Sequence, residues 1–417
     1  MFNFLKKFGV LPILILLITF ISPNQWSSTP IDSLFFVWSL CFFTICIVFY
    51  NKKKYFHPFN KGDYRMVGIY LMWVVICAIR GGFTAENYWE WKQCIAGTLA
   101  LSMPLFVYVY STPVILQKTL QVWIKIALPL FGLFFFWKLE PEGYTYYLGP
   151  ILLLGCFLPV LPKKWMIILL LPLIIMIVSD LGARSQIIKA VATIMMGMSF
   201  LLYKYIPIRS LYLTHWICYI VPIVLLVLGI NGTFNPFEAL SEKGDGKYTQ
   251  QKGLQEEDLT ADTRTGIYEE VISSAVLNQY IWLGRTPARG NDSSLFGAFS
   301  AEELQTSKYE RFENEICHAN VFTWAGLVGL ILYSFLYLKS SYLAIYKSNN
   351  VWMKLIGVNI AFRWTYGWVE DFNRFDIMSI SLWMMIAMGF SEEFRRMDDY
   401  HFKDWINGNF RPLKSKG

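Results

Sequence analysis

The apolar residues of this chain arrive in long blocks and not at amphipathic spacing, and that arrangement limits its fold more than any other feature. Leu34–Tyr50, for instance, holds Ser39 and Thr44 as its only hydroxylated aliphatic residues and carries no charge. A helix that is apolar all round is either buried in a large core or faces lipid. Blocks of this kind recur near Phe8–Ile21, Leu34–Tyr50, Met66–Ile79, Ile95–Tyr110, Val122–Trp137, Tyr147–Leu161, Met166–Val178, Ile187–Tyr205, Trp216–Ile230, Val321–Leu338, Met353–Trp368 and Phe375–Phe390. With 55% hydrophobic and 16% charged residues, the chain lacks the polar surface to wrap so many segments in water. The expected fold class is therefore an all-α polytopic membrane protein with about twelve transmembrane helices, because backbone in lipid has to satisfy its own hydrogen bonds. Several blocks fall short of the ~20 residues of a straight crossing and need flanking Trp, Tyr and polar residues to complete them.

Basic residues give the orientation. Lys6-Lys7, Lys52-Lys53-Lys54 with Lys61 and Arg65, Lys118, Lys163-Lys164, Lys204 with Arg209, and Lys339 with Lys347 fall in alternate connections. Arg395, Arg396, Lys403, Arg411, Lys414 and Lys416 join them, whereas Ser22–Asp32 has no basic residue. Under the positive-inside rule both termini are cytoplasmic and the one long polar stretch, about 85 residues before His318, is on the outer face. Lys6-Lys7 and the apolar run after them lack a small-residue cleavage site and are read as a first span, not a signal peptide. The expected organisation is an N-terminal bundle of about nine helices (1–230), a periplasmic loop domain (231–317), C-terminal transmembrane helices (318–390) and a cytoplasmic tail (391–417). The net charge of +7 follows from this topological bias and carries no nucleic-acid inference.

Within that frame a few polar residues stand out. Arg80-Gly81-Gly82 ends the third block, where the arginine either snorkels to headgroups or meets a phosphate that the glycines let approach. Arg184 opens the eighth block and Lys189 lies inside it; cations at that depth cost about 2.5–3.5 kcal/mol each and call for an ion pair, with Asp180 the nearby carboxylate, or for an anionic ligand. In the outer loop, Thr260 or Asp262 can cap a helix to about Leu277 that rests on the membrane body through Ile267, Val271 and Val276. Arg264 in its first turn opposes the helix dipole unless an anion is near. Arg285 and Arg289 make a cationic turn that suits either solvent or phosphate. Glu242–Lys247 reads as mobile and solvated. Of four histidines, His57, His215 and His401 fall on the cytoplasmic side and only His318 reaches the outer face. A neutral imidazole there suits proton abstraction from a hydroxyl; Asn320 is placed to position an acceptor, and Glu313 or Glu315 to set the tautomer or simply to face water. Cys317 points about 100° away from His318 on a helix, so the two are not a catalytic pair. Arg363, deep in the eleventh block, needs a carboxylate or an anionic ligand. The other cysteines have no metal-ligand spacing and read as apolar filler.

Three short motifs in order resemble the O-antigen ligase and O-antigen polymerase superfamily of bacterial envelope glycosyltransferases. They are Gly182-Ala183-Arg184-Ser185, Thr263-Arg264 with Ile267 followed by Leu283-Gly284-Arg285, and His318-Ala319-Asn320 followed by Gly326-Leu327-Val328-Gly329. Ala319 stands where that family often has Asn, Ser or Gln, and the glycine pair comes about one turn early. The resemblance implies a GT-C-like membrane fold in the bacterial inner membrane and a donor glycan on undecaprenyl diphosphate. It implies transfer without metal or cofactor to a glycan or a lipid A-core acceptor. By the same resemblance Arg184 and Arg264 hold the diphosphate, His318 is the general base, and Gly326 and Gly329 allow close helix packing. Arg80, Arg285, Arg289, Asn320 and Arg363 are the further candidates for substrate contact. A transporter or flippase of lipid-linked oligosaccharide is the competing class, since many spans with intramembrane charges suit it too.

Overall fold

The computed structural model describes residues 9–25, 33–50, 61–134, 141–178, 184–231, 233, 249–252, 255–258, 264–294, 296–303 and 307–411. Its helices run in the order α1 (Val10–Ile21), α2 (Leu34–Tyr50), α3 (Lys61–Thr84), α4 (Tyr88–Leu101), α5 (Pro113–Val122), α6 (Lys163–Val178), α7 (Arg184–Leu202), α8 (Ile208–Ile230), α9 (Arg264–Leu277), α10 (Cys317–Tyr346), α11 (Val351–Tyr366), α12 (Ile377–Phe390) and α13 (Asp399–Gly408), with shorter helical turns between them. The described β structure is two small antiparallel pairs, Thr249–Lys252 with Gln255–Asp258 and Asn291–Asp292 with Glu310–Arg311.

Among the described residues, each of the twelve apolar blocks falls largely on helical structure. Among the described residues, six helices are long and apolar enough to cross a membrane: Gly62–Thr84, Tyr88–Tyr110, Pro113–Leu133, Arg184–Leu202, Ile208–Ile230 and Cys317–Tyr346. The others are shorter. Ile151–Val160, for example, rises only about 18 Å, well short of the ~30 Å hydrocarbon thickness, and is mostly buried. The long helices leave apolar faces uncovered, as with Leu213, Ile220 and Val227 on α8 and Met72 and Ile79 on α3. Contiguous apolar area on this scale suits lipid and not water. The fold is that of an all-α membrane protein.

α12 forms the centre, every one of its residues being buried, and α10 and α11 pack around it. The bundle has two distinct ends. At one, Asp63 near the start of α3 pairs with Lys339 at 3.0 Å and Arg395 at 3.6 Å, and α13 docks by Gln117 and Gln121 donating to the carbonyls of Trp405 and Gly408. At the other, the end of α3, the starts of α4 and α10 and the end of α11 meet α9 and the polar segments after it, and Lys189 near the start of α7 pairs with Glu370 just after α11. α9 and the described residues between it and α10 therefore pack onto the bundle, and α9 shares a small apolar cluster (Ile267, Val271, Ile316, Ala319) with the start of α10. Ile267 and Val271 lie on the buried face as expected, but Val276 does not. At 3.6 residues per turn that face continues through Ser274 and Ala275, and Val276 turns outward. Thr260, Asp262 and the Glu242–Lys247 stretch lie outside the described residues.

α10 is interrupted. Gly326 has φ 70° and ψ −175°, so the helix breaks nine residues after its start. The turn Ile281–Arg285 enters the break: Leu327 and Val328 donate to the carbonyls of Ile281 and Trp282, and Arg285 N donates to Thr323 O at 2.7 Å. Gly284, φ +71°, lies against Gly326 so closely that a Cβ on either would come within 2.4 Å of backbone. The expectation that Gly326 serves helix packing is corrected here. Its missing side chain admits another stretch of backbone, whereas Gly329 lies beneath Ala325 and the Trp73 indole.

Candidate functional site

The loop 367–376 between α11 and α12 gathers three of the candidate residues, His318, Arg264 and Arg363. His318, on the first turn of α10, hangs its backbone N–H on Gly367 O at 3.2 Å, and Cys317 N donates to Glu370 O at 3.1 Å. The imidazole is 1% exposed. Its Nε2 lies 2.9 Å from Trp364 O, and since a carbonyl only accepts, Nε2 carries the proton. Nδ1 then holds the lone pair, and it is buried with no hydrogen-bond partner among the described residues. Trp364, Trp368 and Tyr333 wall the ring, with centroids 5.3, 4.6 and 6.2 Å away. Gly367 is obligatory on this wall, because a Cβ there would sit 2.9 Å from Nε2. The tautomer is thus set by Trp364 and not by Glu313 or Glu315. Glu315 pairs with Arg264 and Arg311, and Glu313 meets Gln93 at 3.3 Å. Cys317 faces elsewhere, 3.7 Å from the Tyr333 hydroxyl.

Arg264 touches the same loop from outside. Its Nε donates to Val369 O at 3.1 Å and its Nη1 pairs with Glu315. One helical turn on, the Tyr268 hydroxyl donates to Trp368 O. Together they tie α9 across the loop that closes over His318.

From the bilayer side comes α7. Lys189 Nζ lies 2.7 Å from Glu370 Oε1, with the lysine side chain 1% and the glutamate 12% exposed. Asp180, the sequence-based candidate for this pairing, lies outside the described residues. Burial pushes the Glu370 carboxyl up, but Lys189, a hydrogen bond from Ser185 and Arg363 outweigh it and hold the group below the usual carboxylate range. Arg363 is 4% exposed, lies over the Phe372 ring at 5.3 Å, and its Nε has no hydrogen-bond partner among the described residues. Lys189, Arg363, Asn359, Thr193 and Ser381 line a small cavity with room for on the order of one water. His318 is not on its wall. Arg184, one residue before Ser185, is exposed at the start of α7.

The remaining candidates are engaged within the protein. Arg80 donates to the carbonyls of Leu283 (2.6 Å) and Gly284 (3.0 Å). Arg285 reaches Asp292 at 2.8 Å and Glu310 at 3.1 Å, while Arg289 grips both oxygens of Glu310. Burial lifts the Asp292 carboxyl, yet Arg285 and Asn278 bring it below its ordinary value; the bonds to Glu310 raise the Arg289 guanidinium. Asn320 is fully buried and bonds Asn314 twice, accepting from its N–H at 2.7 Å and donating to its carbonyl at 2.8 Å. The structure thus brings His318, Arg264, Lys189, Arg363 and the start of α7 around one loop. It sets Arg80, Arg285, Arg289 and Asn320 to holding backbone and carboxylates.

Tyr268 and Trp368 have no role in the sequence reading, Ser185 stands only as part of the Gly182–Ser185 motif, and Glu370 is expected there to pair with the other charges of Glu370–Asp376. The usable signal was stoichiometric: Lys189 and Arg363 in apolar blocks require a carboxylate, and Glu370 directly follows such a block. Asp371 beside it is pushed up to about 6 by burial, against the pull of Arg374 at 3.6 Å. Comparison with protein-family models, with curated proteins and with solved structures finds no match to this chain.

Proposed function

We propose that this chain is a membrane glycosyltransferase of the O-antigen ligase or polymerase type. It moves a glycan from undecaprenyl diphosphate to a hydroxyl of a lipid A-core or another lipid-linked repeat. The observation that carries the reading is the convergence of an imidazole with a free lone pair, a guanidinium and the cationic start of α7 on the 367–371 loop. In this reading the protein sits in the bacterial inner membrane with about twelve crossings, both termini cytoplasmic and the α9 segment periplasmic.

The acceptor oxygen attacks the anomeric carbon and its proton passes to His318 Nδ1. The bond from that carbon to the diphosphate oxygen breaks, and the electron pair leaves with undecaprenyl diphosphate. Arg184 and Arg264 take up the leaving charge, a task that suits bidentate guanidinium contacts. Diphosphate binding competes for Arg264 with Glu315 and Val369 O. Binding therefore loosens the strap over Trp368 and opens the way to the enclosed imidazole, which couples donor arrival to base exposure. His318→Ala is expected to abolish transfer with the protein still inserted and folded, scored on polysaccharide gels of a deletion strain carrying the variant. Near-normal glycan would remove the base. In the deletion strain, single repeats still attached indicate a polymerase, and unattached long chains a ligase.

A transporter of lipid-linked oligosaccharide is the second reading, favoured by the interrupted helix at Gly326. It requires the deletion strain to hold its lipid-linked glycan on the cytoplasmic leaflet, whereas the transferase reading requires it on the outer one.

A further inference from the structure

The turn after α9 has the marks of backbone that lives in lipid. Its depth is measured by three helices independently. It enters α10 at Gly326, nine residues past Cys317; Pro287 would touch a Cβ on Gly97, nine residues past Tyr88 at the start of α4. Trp73, eleven residues before the end of α3, donates to Ala325 O at the break itself. At about 1.5 Å per residue these positions lie roughly 14–16 Å along their helices, whereas Arg80 on Leu283 and Gly284, and Gly81 beside Pro287, lie only about 5–6 Å from the end of α3, so the turn occupies the outer part of the hydrocarbon.

The carbonyls of four consecutive residues, Ile281 to Gly284, all have donors: Leu327 N, Val328 N and the two Nη groups of Arg80. Paired carbonyls spare the turn the cost of unbonded oxygens in an apolar setting. The side chains match. Leu277–Leu283 (Leu-Asn-Gln-Tyr-Ile-Trp-Leu) has no charge, and Leu277, Trp282 and Leu283 are 78, 65 and 50% exposed. Arg80, which holds the Leu283 carbonyl, is flanked on α3 by the exposed Ile79 and Phe83, and Val328, which donates to the Trp282 carbonyl, lies three residues before the exposed Ile331 of α10. The apolar surface of the turn is thus continuous with the lipid-facing sides of two spanning helices.

We infer that Leu277–Leu283 is a re-entrant wedge whose Trp282 and Leu283 side chains lie among the acyl chains of the bilayer. The segment between α8 and α10 is then fastened into the membrane at its middle, with Arg80 as the fastening and not as a ligand-binding cation.

The test is spin-label accessibility in the full-length protein, reconstituted in phosphatidylethanolamine/phosphatidylglycerol vesicles. Cys46 and Cys218, the cysteines not buried, are first replaced by alanine. Labels are placed by Trp282→Cys and, separately, Leu283→Cys, both of which leave the carbonyl hydrogen bonds in place. Met72→Cys on α3 is the lipid reference and Glu269→Cys, exposed on α9, the water reference. Labels at 282 and 283 are expected to collide with oxygen several-fold more than with nickel ethylenediaminediacetate, as at 72. A ratio like that at 269 places the turn in water and overturns the inference. Low accessibility to both reagents means that protein covers the turn, and overturns it equally.

Discussion

Removing the Glu370 carboxylate is expected to destabilise this protein more than removing the Lys189 ammonium to which it is bound. The pair is nearly dry, 2.7 Å apart with side chains 1% and 12% exposed, and breaking such a pair costs about 3–5 kcal/mol because one charge is left buried alone. The two partners are not equivalent, however. Glu370→Gln leaves two buried cations, Lys189 and Arg363, without the carboxylate whose field acts on both, and belongs at the upper end, about 5 kcal/mol. Lys189→Met leaves Glu370 with Arg363 and the Ser185 hydroxyl, and belongs at the lower end, about 3 kcal/mol. In the double variant only Arg363 lacks a counter-charge, so its cost falls short of the sum by about 1–3 kcal/mol. Reversible unfolding in mixed micelles of dodecyl sulfate and dodecyl maltoside measures all four corners of the cycle. Equal costs, a reversed order or simple additivity would refute the account of Glu370 as the shared counter-charge.

Three further outcomes follow from particular contacts. Gly326→Ala forces a side chain onto φ +70° and into the Trp282 carbonyl at 2.3 Å; it is expected to lose at least about 3 kcal/mol, or to fail to fold, in the same micelle assay, whereas Gly132→Ala, with open space at its Cβ position, changes little. Asp371, lifted to about 6 by burial, binds its proton more tightly when folded than when unfolded; stability is full below pH about 4, falls by roughly 3 kcal/mol as pH rises to about 6, and stays lower above, and Asp371→Asn should abolish that fall in a pH series of unfolding curves. Gly367→Ala, whose methyl meets His318 Nε2 at 2.9 Å, is expected to cut glycan transfer at least tenfold while the protein remains inserted; unchanged transfer would show that the imidazole need not hold its place against Trp364 O.

The sequence made the helices legible because apolar blocks in lipid are driven to satisfy their backbone internally, and the described residues of all twelve blocks fall largely on helix. Their lengths were less readable. Ile151–Val160 looks like its neighbours in composition, yet it is too short to cross alone and is covered by the rest of the bundle. Gly326 illustrates a second limit: a glycine in an apolar run reads as a packing site, and only the arrival of Ile281–Arg285 reveals it as a break. For the site, the sequence named cations readily, since a guanidinium in an apolar block is conspicuous. It did not tell which were already spoken for. Arg285 and Arg289 share Glu310 across a hairpin closed by Asn291–Asp292 and Glu310–Arg311, a pairing with about twenty residues of intervening chain. Nothing local announces it.

What separates a ligand site from a structural ion pair here is the balance of charge at depth. A buried pair is weak evidence of stabilisation, since apolar residues of similar size commonly serve as well. Lys189 and Glu370 alone would be explained as such a pair. Arg363 changes the accounting: it is as deeply buried, its Nε is unsatisfied, and it draws on the same carboxylate. A second cation facing one anion raises the cost of the empty site and lowers it once another negative group arrives. Arg184 stands exposed at the head of the same helix, and Arg264 spans from Glu315 to the loop that carries Glu370. An anion entering from that end would meet guanidinium first, displace Arg264 from Glu315, and find further positive charge below. That is the behaviour the proposed lipid diphosphate donor requires, with its negative charge at the membrane surface and its bulk in lipid.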